Sequence, residues 1–375
     1  MIENYEHSQT YYRITINIDP DVSQSLIDAA LELGVRRAFI VKGRGVLHKK
    51  KVGPFTLPGI SPSFDIVNLI APESSLNLIL DTMVRVGKLT HFGAGAIFAT
   101  KIQDIWFSGT TLFSGTATPA ITQPEFEYQK DLIAINCICQ LEHAEEIAHE
   151  AMLAGSPSPT ICFGYGHGIR DRLGFFLQLT INPKKEFIEL VVGSAEAERI
   201  FERMVESGRL DLPAMGFIST RHVDIGLINT MSYQNTSPYP ATMEQIIKAI
   251  DQLQGNTRWR SSGTVQTTSN VKRKKLLNLV SLNCIVNRGL GDSCSMVAME
   301  AGASGTSTYY ANALPIEKHP VSGLEGSDER EIISMTIGAQ QLEPVVKAIS
   351  SMPELNETPV ILFSYAAPQA VTYLK

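Results

Sequence analysis

The chain has 375 residues, 44% of them hydrophobic and 19% charged, with a formal net charge of −6. Such a composition supports buried cores. The acidic balance excludes a surface evenly charged for nucleic acid or anionic membrane, and no apolar run reaches the roughly 18 residues that a bilayer span requires.

The opening, MIENYEHSQTYYR, is too polar and acidic for a secretory leader. A strand over Ile16, Asn17 and Ile18 leads into a helix ending ALELGV, residues 30–35. Gly34 stands where a helix takes a left-handed residue at its C-terminus. A second strand, AFIVKG, precedes a polar loop. A third, FDIVNLI at 64–70, returns from it. The helix SLNLILDTMVRVG has apolar residues three and four apart. Then comes a glycine-bearing corner, and a last strand, AIFATKI.

The same order follows twice more. Ile135-Asn136-Cys137 and Leu282-Asn283-Cys284 echo the first strand. AMLAGS and AMEAGA, with Gly155 and Gly302, echo the first helix end. TICFG, EFIELVV, AEAERIFERMVESG and GFISTRH complete the second pass, and TSTYYA, EIISMTI, QLEPVVKAISSM and PVILFSY the third. Each pass is β-α-β-β-α-β, the order of a ferredoxin-like unit. Strand 64–70 is apolar on both faces, where a half-solvated strand would alternate, so its second face is expected to be buried. The expected architecture is therefore α+β, with three tandem ferredoxin-like domains packed as an intramolecular pseudo-threefold trimer. The boundaries are 10–118, 128–232 and 274–375. Residues 233–273 form a linker with one helix over TMEQIIKAIDQLQG.

Two corners carry candidate chemistry. Gly87, Lys88, Gly93 and Gly95 make up the first, and Gly208, Arg209 and Gly216 the second. Glycines at a helix-to-strand turn let backbone N–H groups converge on an anion, and a cation there adds charge-assisted bonds to phosphate. The bases of the first two long loops hold Gly43, Arg44 and Gly45, and then Gly164, Gly166, His167, Gly168 and Arg170.

These features resemble the nitrogen-regulatory PII family and its PII-like relatives. GKL and GAGAIF at the first corner and GRL and GFI at the second are similar to that family's phosphate-binding loop, and KGRG is similar to the start of its long signalling loop. The resemblance implies a non-enzymatic signalling protein of nitrogen regulation. It would bind a small anionic effector, an adenine nucleotide such as ATP, ADP or AMP, in clefts between domains. It would meet a protein target through loops 46–63, 169–185 and 314–330. No nucleic-acid partner, membrane span or metal is expected, and the chain would be a monomer because its trimer is internal. The third corner, residues 351–359, has no glycine and two prolines, so its own loops are not expected to hold a nucleotide. The alternative is a ligand-free scaffold that kept the fold. Five cysteines, an odd number in apolar settings, read as buried, reduced thiols and point to the cytoplasm.

Overall fold

The computed structural model describes residues 3–4, 9–46, 50–52, 55–57, 62–91, 93–108, 111–114, 123–168, 183–228, 274–313, 329–356 and 358–373. Arg170, the expected helix in 233–273, and most of the three long loops lie outside the described residues.

The first segment comprises β1 (Tyr11–Ile18), α1 (Pro20–Glu32), β2 (Ala38–Gly45), β3 (Ser63–Pro72), α2 (Leu76–Val86), β4 (Gly95–Lys101) and a short β5 (Ile105–Ser108). The second comprises β6 (Leu132–Gln140), α3 (Ala144–Leu153), β7 (Thr160–His167), β8 (Lys184–Gly193), α4 (Ser194–Gly208), β9 (Gly216–Val223) and a short β10 (Ile225–Ile228). The third comprises β11 (Leu276–Asn287), α5 (Gly291–Glu300), β12 (Thr306–Ala313), β13 (Glu329–Gly338), α6 (Leu342–Ser350) and β14 (Val360–Thr372).

This architecture overturns the expectation of three tandem ferredoxin-like domains packed as a pseudo-threefold trimer. Among the described residues the protein is mostly β, 46% strand, and these strands close into a nine-stranded antiparallel barrel accompanied by six α-helices. Hydrogen-bonded neighbours run β2–β7–β8–β6–β9–β14–β11–β13–β12 and return to β2. β3, β1, β4 and β10 continue from β2 outside that ring. The reason lies in the strand edges. Separate sheets would leave rows of unpaired N–H and C=O groups. Here β7, β12 and β2 pair with one another. The remaining edges are covered across segments: β5 lies on β14, β10 on β4, and the end of β14 on β9. In this main sheet no segment stands alone; a separate two-stranded ladder, Lys50–Val52 with Phe55–Leu57, belongs to the first segment.

Each strand serves two environments through its two-residue period. In β1, Tyr12, Ile14, Ile16 and Ile18 join the core beneath α1 and α2. Arg13 faces the barrel side with Asn68 of β3. In β3, Val67 and Leu69 pack under the helices while Ile66 and Ile70 are buried in a cluster on the opposite face. Helix faces follow the complementary period. Ala197, Ile200, Phe201, Met204 and Val205 are the buried stripe of α4, sealing β6, β8 and β9. Full burial of one such side chain contributes about 1.5–3 kcal/mol. Asp19 caps α1 by accepting from the Asp21 N–H, with Pro20 in the first helical turn. The helices α1, α3 and α5 all end at a left-handed glycine: Gly34 at φ 93°, Gly155 at φ 95° and Gly302 at φ 114°.

The register corrects one correspondence drawn from sequence. Ile18 pairs with Asp65, Cys139 with Glu186 and Val286 with Glu331. Asn136 and Asn283 therefore occupy the level of Thr15, not of Asn17. A slip of two residues keeps every side chain on its face, so the apolar pattern cannot reveal it. Among the described residues no helix is long and apolar enough to cross a membrane.

Candidate functional site

The glycine corners have structural duties. Gly95 (φ 138°) and Gly216 (φ 156°) open β4 and β9. A Cβ on either would run into a carbonyl oxygen of the neighbouring strand, that of Asn17 or Ile138. Their lack of a side chain is required by the sheet, whatever else the corner does. Lys88 and Arg209 hold the left-handed turn after α2 and α4, at φ 50° and 49°, with exposed side chains. Gly87 and Gly208 are the buried residues just before them, and Gly93 takes φ 71° in the first corner.

The loop bases are more telling. Gly43, Arg44 and Gly45 end β2 against the second segment, with Arg44 opposite Ile161 and Gly45 opposite Thr160. Gly164, Gly166 and His167 end β7 against β12 of the third segment, and Gly168 follows. A Cβ at Gly164 would strike the Thr308 carbonyl oxygen, so close strand approach accounts for this glycine. Base and corner thus come from different segments. Arg44 reaches Glu186, which shares the sheet with Cys139 and Gly216 of the second corner.

A buried carboxylate lies beside the start of the first helix in each segment. Asp65 accepts from Ser23 Oγ at 2.8 Å and from Lys42 Nζ at 2.7 Å. Glu186 accepts from the Ala144 N–H at 3.1 Å and from Arg44 Nη2 at 2.9 Å. Glu331 accepts from the Gly289 and Gly291 N–H groups at 3.1 and 2.6 Å. These N–H groups and the helix dipole favour negative charge, and the protein supplies it itself. Sequence reading missed all three acids, because an acidic residue at the end of an apolar strand looks like a solvated terminus.

Two of the three bases also present an aromatic ring under a guanidinium. The Arg44 guanidinium carbon lies 5.6 Å from the centre of the Phe163 ring, and Phe163 is 54% exposed. That of Arg288 lies 5.1 Å from the ring of Tyr310, which is 43% exposed. Phe163 opposes Glu186 across the ladder and Tyr310 opposes Glu331, so the two rings hold corresponding positions. In the first segment Lys42 stands there, opposite Asp65. Arg44 continues to Glu145 at 2.7 Å, and Arg288 to Glu329 at 2.6 Å. His167 Nε2 lies 3.3 Å from Asp292 at the start of α5.

All five cysteines are free. Burial pushes the Cys162 thiol up to about 12, helped by Glu189 and opposed by Arg13. Cys137 and Cys284 are raised by hydrogen bonding to Cys139 and Cys294 and by burial. These three thiols stay protonated at neutral pH and are poor nucleophiles. Among the described residues no cluster of histidine, cysteine and carboxylate could hold a metal ion. The chain matches no protein-family model and no curated protein.

Proposed function

We propose that this protein is a non-catalytic regulatory protein that binds a small anionic effector of the adenine-nucleotide class at the base of its first long loop. The observation that carries the reading is the exposed Phe163 ring beneath Arg44, at a junction of two segments. An exposed aromatic face is a stacking platform for a base, worth about 1–3 kcal/mol per base. The adjoining guanidinium suits phosphate. Arg44 is held by Glu145 and Glu186, and an incoming phosphate would compete with both. Its release would loosen the end of β2, where loop 46–63 begins. An effector acts as a switch only by binding the two loop states unequally, and this exchange of partners is such a difference. Contact with a protein target through loops 46–63, 169–185 and 314–330 belongs to the same proposal.

A second reading, a ligand-free scaffold, is favoured by the three internal carboxylates, which already satisfy the helix starts. Thermal unfolding with ATP, ADP, AMP, cyclic AMP and cyclic di-AMP separates the two. A ligand at about 100 times its Kd stabilises by about 2.7 kcal/mol. The sensor reading expects such a rise with at least one nucleotide, and expects Phe163→Ala to remove it. No rise with any of them establishes the scaffold.

A further inference from the structure

The barrel-facing side of the strands holds a cavity of about 100 Å³, lined by residues from all three segments. Among the described residues its charged lining consists of Arg13, Arg221 and Glu189. Arg221 is 7% exposed and donates through Nη2 to Glu189 Oε1 at 2.8 Å. Its guanidinium carbon lies 5.2 Å from the centre of the Tyr365 ring. Arg221 Nε is buried with no hydrogen-bond partner among the described residues. Arg13 donates through Nε and Nη2 to Asn68 Oδ1, at 2.9 and 2.7 Å, a neutral acceptor. Thr15 Oγ1 shares that acceptor at 3.2 Å. The Asn68 amide nitrogen is taken up by the Ile66 carbonyl oxygen.

The balance is two guanidinium charges against one carboxylate. A buried charge without a counter-charge is costly, and so is an orphaned buried donor. The rest of the wall is neutral, a mixture of apolar residues such as Val41, Ile138 and Phe217 and polar ones such as Asn136, Ser281, Asn283 and Tyr309. Burial holds the Tyr309 hydroxyl protonated up to about 12, so it supplies no compensating charge at neutral pH. Burial works against the charge on Arg13, Glu189 favours it, and a guanidinium holds its proton far above neutral pH. Arg13 therefore stays charged. A cavity of this volume offers room for several water-sized groups, since one needs about 10–15 Å³ of such space. A nucleotide is far too large for it.

We propose that the cavity is a binding site for one small monovalent oxyanion of about three to five heavy atoms, held between Arg13 and Arg221. The guanidinium fork matches the paired oxygens of such an ion, one negative charge balances the excess positive one, and Arg221 Nε gains an acceptor. The site is independent of the Arg44 junction.

The test uses the full chain, dialysed into a buffer free of oxyanions, with thermal unfolding and calorimetry at constant ionic strength. The separate probes are sodium formate, acetate, nitrate and phosphate, with sodium chloride as reference. At least one oxyanion should raise the melting temperature above the chloride value and bind at one site per chain. Arg221→Lys keeps a charge for Glu189 but removes Nε and the fork, and should weaken that binding about tenfold or more. Glu189→Gln adds to the positive excess, and its melting temperature should respond more steeply to the same anion than wild type does. Phe163→Ala should leave the response unchanged, which separates this site from the nucleotide reading. The proposal is overturned by equal melting temperatures in every oxyanion and in chloride, by undiminished affinity in Arg221→Lys, or by a weaker response in Glu189→Gln.

Discussion

At the base of the first long loop one arginine sits between two carboxylates; inside the barrel two arginines share one. Arg44 has Glu145 and Glu186, the first exposed and the second buried. Arg221 holds Glu189, and Arg13 leans on an amide oxygen. The difference teaches where charge is dispensable. Near water a missing partner is replaced by solvent and costs little. Inside the barrel Arg221 is buried while Arg13 and Glu189 are only partly exposed, so solvent replaces less and each charge depends more on the groups that face it.

The sharpest way to break that comparison is to remove one carboxylate from each place. Glu189→Ala leaves Arg221 buried and unpaired, and should cost about 3–5 kcal/mol in urea unfolding. Glu145→Ala removes an exposed partner while Glu186 still holds Arg44, and should cost less than about 1 kcal/mol. Equal losses would show that the two environments do not differ as described.

Alkaline titration sharpens the same contrast. The Tyr309 hydroxyl is raised from 10.0 to about 12, chiefly by burial. Its neutral form is favoured in the folded state, so this stabilisation is fully present below pH 10. Stability then falls as pH rises towards 12, because the unfolded chain ionises first. A shift of that size corresponds to about 2–3 kcal/mol. Cys162 adds a loss in the same direction, beginning near pH 9. Urea midpoints measured from pH 8 to pH 11 should decline, and Tyr309→Phe should decline less steeply than wild type. A flat profile in wild type would contradict the burial of these groups.

Thiol labelling gives a smaller, qualitative signal. Cys137, Cys139, Cys284 and Cys294 are buried, and the half-buried Cys162 keeps its proton. An aromatic disulfide reagent at pH 8 should label almost none of the five in the native protein and all of them in guanidinium. Rapid native labelling of more than one would show that the strand cores are open.

How much of this could be read from the chain varies with the range of the interaction. Local features were legible. Gly34, Gly155 and Gly302 lie at left-handed helix ends, and the apolar stripe of α4 is the one its spacing gives. The order strand, helix, strand, strand, helix, strand runs through each segment. Barrel closure was not legible, because it depends on which distant edge meets which: β7 on β12 and β2, β5 on β14, β10 on β4. Edge pairing uses backbone groups that every residue carries, so no side-chain motif announces it. The loop-base glycines were found, but their packing partners were not. Gly164 is explained by Thr308, which is 144 positions away in the chain. Phe163 and Glu186 are adjacent only across a ladder, and Arg13 and Arg221 are single basic residues in otherwise ordinary strands. The phosphate reading of Lys88 and Arg209 came from composition at the corner, whereas their backbone conformation can be known only from coordinates.

Arg209 offers the gentlest test, and it bears on both regions at once. It ends α4 at φ 49°, a conformation that costs a residue with a Cβ about 1 kcal/mol or more. Its side chain is exposed. Glycine relieves the strain, although it also gives the unfolded chain more freedom. Arg209→Gly should therefore raise stability by about 0.5 kcal/mol, a small increase in the urea midpoint with an unchanged slope. Arg44→Ala should move the midpoint the other way, since it leaves the buried Glu186 without its cation. If the second corner helps to hold phosphate, Arg209→Gly becomes more stable yet responds less to nucleotide. If the corner is only a helix stop, the nucleotide response is untouched and the binding energy resides with Arg44 and Phe163 alone. Loss of stability in Arg209→Gly would mean that the arginine makes a contact outweighing its strained backbone.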